Sequence, residues 1–150
     1  MHTDAKVEEV DRNKMKESSV GQSNVSLVIV DDNPSSLELL ATALEQPGLD
    51  IWTATDPEEG LDLIFQKHPQ IVLTDLVMPK MSGLELLERI VNFDPAIEVI
   101  LMTAHYSTES AVEAIRKGAS DYLNKPISVP ALRERFRTMI GEIQRRQRAF

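Results

Sequence analysis

The sequence predicts a doubly wound α/β fold built on a five-stranded parallel sheet. Three observations carry that prediction. Short apolar runs alternate with amphipathic stretches five times between residues 25 and 150. The runs VSLVIV, QIVLT and AIEVILMT are rich in Val, Ile and Leu almost throughout, which is the pattern of strands covered on both faces. Helix-start signals open three of the amphipathic stretches: Asn33-Pro34, Asp56-Pro57 and Ser107-Thr108.

Residues 1–24 mix Lys, Glu, Ser and Asn without apolar periodicity and read as a disordered leader. VSLVIV (25–30) is the first strand, ending at Asp31-Asp32. Asn33 is placed to cap the following helix, with Pro34 at its first position and Leu37, Leu40 and Leu44 along one face. Pro47-Gly48 stops it. DIWTAT (50–55) is the second strand. Asp56, with Glu59 three residues on, starts a helix that runs to about His68. QIVLT (70–74) is the third strand, GLELLERIV (83–91) a helix, and AIEVILMT (96–103) the fourth strand. STESAVEAIRKG (107–118) is a helix capped by Ser107 or Thr108 and closed by Gly118. SDYL (120–123) is a short fifth strand. The last helix starts at the capping Ser128 and spaces Leu132, Phe136, Met139, Ile140 and Ile143 for burial. A βα pattern repeated five times needs right-handed crossovers. The flavodoxin-like strand order 2-1-3-4-5 satisfies it.

Composition narrows the function classes. The 150 residues suffice for one domain with one core. No run approaches the ~18 apolar residues of a membrane span, and the first residues lack a signal-peptide core, so no membrane association and a cytoplasmic location are expected. The absence of cysteine excludes disulfides and thiolate metal sites. Residues 25–130 carry seventeen acids and six bases, a poor surface for nucleic acid. The six arginines after residue 130 read as a solvated helix face favoured by the helix dipole. His2, His68 and His105 have no metal-ligand spacing and read as surface residues.

In a doubly wound sheet the functional crevice lies at the carboxyl ends of the strands, where strand order reverses. Asp31 and Asp32, Asp75, Thr103 and Lys125 all end or follow predicted strands. Three carboxylates crowded at one edge repel unless a cation joins them. Oxygen ligands without His or Cys select a hard divalent ion, Mg²⁺. Lys125 adds a point cation and Thr103 a hydroxyl donor, which together meet the needs of a phosphoryl group. Asp75 is then a nucleophile that receives it as an acyl phosphate. Pro79 restricts the loop after Asp75 and aims a backbone carbonyl, that of Val77, at the metal. Gly83 permits the loop to close tightly.

The pieces VIVDD, DLVMPKMSG, MTA and GASDYLNKP, in this order and spacing, resemble the receiver domain of bacterial two-component response regulators. The resemblance covers residues 25–145, with 146–150 read as the start of a linker or tail. It implies Asp75 as phosphoacceptor, Asp32 as direct metal ligand and Asp31 as its water-mediated helper. It implies Thr103 and Lys125 as the phosphate-sensing pair, Tyr122 as the switch aromatic, and a cis Lys125–Pro126 peptide. It implies a sensor histidine kinase as phosphoryl donor. It also implies a homodimer through the fourth helix, fifth strand and fifth helix. An apolar residue at Val77 cannot orient an attacking water, so a phosphoryl lifetime longer than in the fastest self-hydrolysing receivers is expected.

TAHYSTESAVEAIRKGASDYLNKP is similar to receivers of the nitrogen-regulation type, so the expected output is transcription; RRQRAF, inside a helix, looks like a cut into a linker. A stand-alone receiver acting through protein contacts is the alternative. A phosphatase of haloacid-dehalogenase type needs a second acid two residues after its nucleophile, where this chain has Val77. The domain is accordingly read as a switch and not as a metabolic enzyme.

Overall fold

The computed structural model describes residues 24–148; the predicted leader over 1–24, except Asn24, and the last two residues lie outside them. The elements alternate as the sequence predicts: β1 (Val25–Val30), α1 (Pro34–Leu44), β2 (Leu49–Ala54), α2 (Pro57–Lys67), β3 (Ile71–Asp75), α3 (Gly83–Phe93), β4 (Glu98–Thr103), α4 (Thr108–Arg116), β5 (Asp121–Asn124) and α5 (Val129–Arg148). All neighbouring strands pair in parallel, in the order β2-β1-β3-β4-β5.

The apolar runs bury two faces at once. Val28, Val30, Val72, Val99 and Leu101 face α2, α3 and α4. Leu27, Ile29, Ile71, Leu73, Ile100 and Met102 face α1 and α5. Alternation along each strand sends successive side chains to opposite layers, and neither layer is solvent. The five apolar residues predicted for the last helix are all buried in the second layer.

Caps fix where helices begin. The side chains of Asn33 and Asp56 accept from the N–H groups of Ser36 and Glu58. Ser82 and Glu85 close a reciprocal capping box on α3. Ser107, not Thr108, caps α4 by accepting from Ser110 N. Two boundaries differ notably from the sequence reading. The fourth strand starts at Glu98 rather than residue 96, because Asp94 draws the chain into a turn: Ala96 N donates to its Oδ1 at 2.9 Å and Ile97 N to its carbonyl at 3.2 Å. The first helix stops at Leu44, short of Pro47-Gly48, where the Arg133 guanidinium on α5 donates to the carbonyls of Ala43 and Glu45.

Asp56 gives a pH prediction. The Glu58 N–H first, and also the Glu59 N–H and Lys80, favour its charged form over the opposing effect of desolvation, and lower its pKa. A carboxyl depressed on folding contributes stability above its unfolded pKa and loses it as pH falls through the folded value. Acidification below pH about 4 is therefore expected to cost wild type more than Asp56→Asn, whose amide caps without titrating. Melting temperatures of the two proteins at neutral and acid pH check this; parallel acid limbs would contradict it.

Candidate functional site

The strand order places the ends of β1 and β3 side by side, with β4 and β5 following. The carboxylates of Asp31, Asp32 and Asp75 consequently converge, with one oxygen from each lying within 4.8 Å of the others. Lys125, delivered from the end of β5, joins them: its ammonium lies 3.1 Å from Asp75 Oδ2 and 3.4 Å from Asp31 Oδ2. Burial disfavours the lysine's charge, but its hydrogen bond to Asp75 and the field of Asp31 outweigh this, and its pKa is raised. Lys125 stays protonated at any physiological pH.

The three acids are held differently. Asp31 is fully buried. Its Oδ1 accepts from Asn33 N at 3.0 Å and its Oδ2 from Ser36 Oγ at 2.8 Å. Asp32 is exposed and Asp75 half-buried. Asp31 is thus a fixed acceptor, while Asp32 and Asp75 face the opening of the site. Ser36 was not singled out from sequence; its position in the first turn of α1, five residues after Asp31, is the signal that identifies it.

The loop after Asp75 is pinned at both ends. Leu76 N donates to Met102 O and Gly83 N to Leu76 O, each at 2.7 Å. A Cβ at Gly83 would lie 2.5 Å from the Asp75 carbonyl oxygen, so glycine is required for this closure. Buried Thr74 donates its hydroxyl to the same carbonyl at 3.1 Å. Val77 and Pro79 are exposed, and Val77 is 59% accessible. The Lys125–Pro126 peptide is cis, and Lys125 N donates to Thr103 O at 2.8 Å. Thr103 is buried, and its Oγ1 accepts from His105 N at 2.9 Å. Tyr122 stands apart from this cluster, packed in the α2–α4 layer.

The model of the response regulator receiver domain matches residues 27–137 of this chain. The chain belongs to the response regulator receiver domain family. Receiver domains are signalling domains of two-component systems. Over 101 residues the chain is 43% identical to the DNA-binding transcriptional regulator NtrC of Klebsiella pneumoniae, covering 67% of this chain and 22% of that protein. It is 38% identical over 106 residues to the regulatory protein AtoC of Escherichia coli, covering 71% of this chain and 23% of that one. The chain spans no more than half the length of the curated relatives it matches. Among solved structures it is similar to a CheY-like receiver domain protein from Methanospirillum hungatei, with a TM-score of 0.76 and 30% identity over 83% of this chain and 99% of that one. A receiver domain from Clostridium thermocellum gives a TM-score of 0.72 at 29% identity, over 83% and 98%.

No helix among the described residues is long and apolar enough to cross a membrane. Four of the six C-terminal arginines make contacts within the chain: Arg133 with the end of α1, Arg135 with Asp121, Arg137 with Glu134 and Arg146 with Glu98. This face is more engaged than a purely solvated stripe. His68 and His105 are exposed, as expected; the His68 Nε2 lies 2.5 Å from Asp94 Oδ2.

Proposed function

We propose that this receiver domain is a phosphorylation switch that takes a phosphoryl group from a sensor histidine kinase onto Asp75. The observation that carries the reading is the convergence of Asp31, Asp32 and Asp75 with the Lys125 ammonium at one sheet edge. An all-oxygen donor set of this kind fits Mg²⁺. Asp32, Asp75 and the Val77 carbonyl would hold the ion directly. Asp31, already engaged by Asn33 N and Ser36, would hold its water. When bound, Mg²⁺ supplies positive charge to the phosphoryl oxygens.

The residues of the chain account for the rest. An Asp75 carboxylate oxygen attacks phosphorus; the O–P bond forms as the N–P bond to the donor imidazole breaks, and that imidazole nitrogen leaves with the bonding pair and takes up a proton. Lys125 is in contact with Asp75 Oδ2 and pairs with a phosphoryl oxygen once the group arrives. The Thr103 hydroxyl donates to another, and Tyr122 responds to the threonine's movement. A receiver of similar structure, that of DrrB, has been solved in a BeF3-activated form, at a TM-score of 0.72 and 27% identity.

Two surfaces suit the two partners. An apolar groove of about 390 Å³ runs beside Lys125, lined by Leu39, Leu40, Ala43, Ile127 and Val129. It receives the kinase next to the acceptor. The α4–β5–α5 face, where Val112 and Ile115 are exposed, carries the output and a homodimer contact. The relatives' names point to transcription as that output. The receiver itself, residues 25–145 in this reading, makes no direct contact with nucleic acid, and the protein acts in the cytoplasm.

The reading is tested with a small phosphodonor such as acetyl phosphate. Intact-mass spectrometry is expected to find one base-labile phosphoryl group per chain with Mg²⁺ and none with a chelator. The label should persist beyond seconds, since Val77 orients no water. No addition in the presence of Mg²⁺ would overturn the proposal.

A further inference from the structure

One polar atom near the switch is unsatisfied. The Tyr122 hydroxyl is buried and has no hydrogen-bond partner, and the residue is only 7% exposed. A buried hydroxyl without a partner has lost its hydrogen bond to water and gained none in return, which is unfavourable. The inward position of this ring therefore requires a packing contact that outweighs the loss. Tyr106 supplies one. The two rings meet edge to face, with centroids 5.1 Å apart and planes at 82°, the arrangement favoured by aromatic quadrupoles.

Tyr106 occupies a pivotal place in the chain. It directly precedes Ser107, the N-cap of α4. It also follows Thr103, whose Oγ1 accepts from His105 N. One five-residue stretch thus carries the buried threonine, the ring against Tyr122 and the helix cap. The helix it leads into is lightly anchored. Ala114 is the one buried residue of α4, while Val112 and Ile115 are 46% and 52% exposed. Its far end is pinned by the Lys117–Glu88 pair at 2.5 Å. With so little apolar burial, the position of α4 depends on its two end contacts.

We propose that Tyr106 is a positioning residue of the switch: its ring clamps Tyr122 inward and ties that rotamer to the N-terminus of α4. The inference rests on the phosphorylation reading for its trigger, but the clamp itself exists in the unmodified protein. Outward movement of the Tyr122 ring would have to break its edge-to-face contact with Tyr106, a half-exposed residue one backbone step before the Ser107 cap. If Tyr106 is removed, the Tyr122 hydroxyl gains a route to water and the inward ring loses its cover. Tyr106 touches no acid of the site, so phosphoryl capture does not depend on it.

The test uses the full chain with tyrosine-ring and backbone NMR, comparing wild type, Tyr106→Leu and Tyr106→Phe. In the unmodified protein, Tyr106→Leu is expected to move the Tyr122 ring resonances toward the solvent-exposed position, and Tyr106→Phe to keep them in place. On labelling, Tyr106→Leu should accept phosphoryl to the wild-type extent. The label-dependent shifts of the Thr108–Ala111 amides should fall several-fold, and Tyr106→Phe should restore them. Wild-type behaviour of Tyr106→Leu in both readouts would overturn the proposal. Failure of wild type to accept phosphoryl would remove the trigger, while the ring comparison would still decide the clamp. Tyr122→Phe deletes the orphan hydroxyl and is expected to raise the melting temperature; a lower one would mean the hydroxyl has a partner, against the proposal.

Discussion

Asp75→Asn is expected to reduce phosphoryl labelling to background while leaving the fold intact. Asparagine keeps the shape of the side chain and loses the anionic oxygen that, on the proposed function, attacks phosphorus. Its neighbours are acids with other attachments: Asp31 is buried and already accepts from Asn33 N and Ser36 Oγ, and Asp32 lies at the exposed end of the cluster. Among the three acids, Lys125 contacts Asp75 and Asp31 and not Asp32. Stability should change by no more than about 1 kcal/mol, because two effects oppose each other. Lys125 loses its charge pairing with residue 75 but keeps Asp31 at 3.4 Å, and one of three mutually repelling charges disappears. Label stoichiometry and a urea titration on the same preparation check both halves. Label at the wild-type level would mean that another side chain is the acceptor.

Phe136→Ala carries the largest expected loss of stability. Phe136 is completely buried in the core layer between the sheet and α1 and α5, the cluster that also holds Leu27, Ile29, Ile71, Leu73 and Leu132. Deleting a buried phenylalanine ring removes its transfer free energy and leaves a cavity that rigid strands cannot collapse into, costing about 3–5 kcal/mol. A domain of this size has a total of about 5–15 kcal/mol, so the variant should unfold at much lower urea and melt roughly 10–20 °C earlier. Because Phe136 lies on α5, the loss also tests how that helix docks. A cost under about 1 kcal/mol would mean that α5 does not pack on the sheet as described.

The sheet and its order were legible because the signal was redundant. β1, β3 and β4 are runs rich in Val, Ile and Leu, and most helices have a start residue of their own, so an error of one or two positions in any element leaves the topology unchanged. The cluster of Asp31, Asp32, Asp75 and Lys125 was legible for a related reason: strand order alone carries strand ends to one edge, and unusual residues at those ends stand out. What escaped the sequence depends on tertiary geometry. Ser36 became visible only once the first turn of α1 was placed against Asp31. The group that satisfies the carbonyls at the end of α1 is a guanidinium ninety residues away from Ala43. The Tyr106–Tyr122 contact joins the loop before α4 to β5, and no periodicity encodes it. Asp94 moved the start of β4 because a side chain captured an N–H that the apolar pattern had assigned to a strand.

The ammonium of Lys125, seated between two of the acids, makes the pocket its own counterion. Crowded negative charge that would otherwise push the strand ends apart is partly neutralised by a group the polypeptide carries with it. Assembly of the protein therefore need not wait for dissolved ions. The strand ends should keep their arrangement whether or not a cation is seated among the acids.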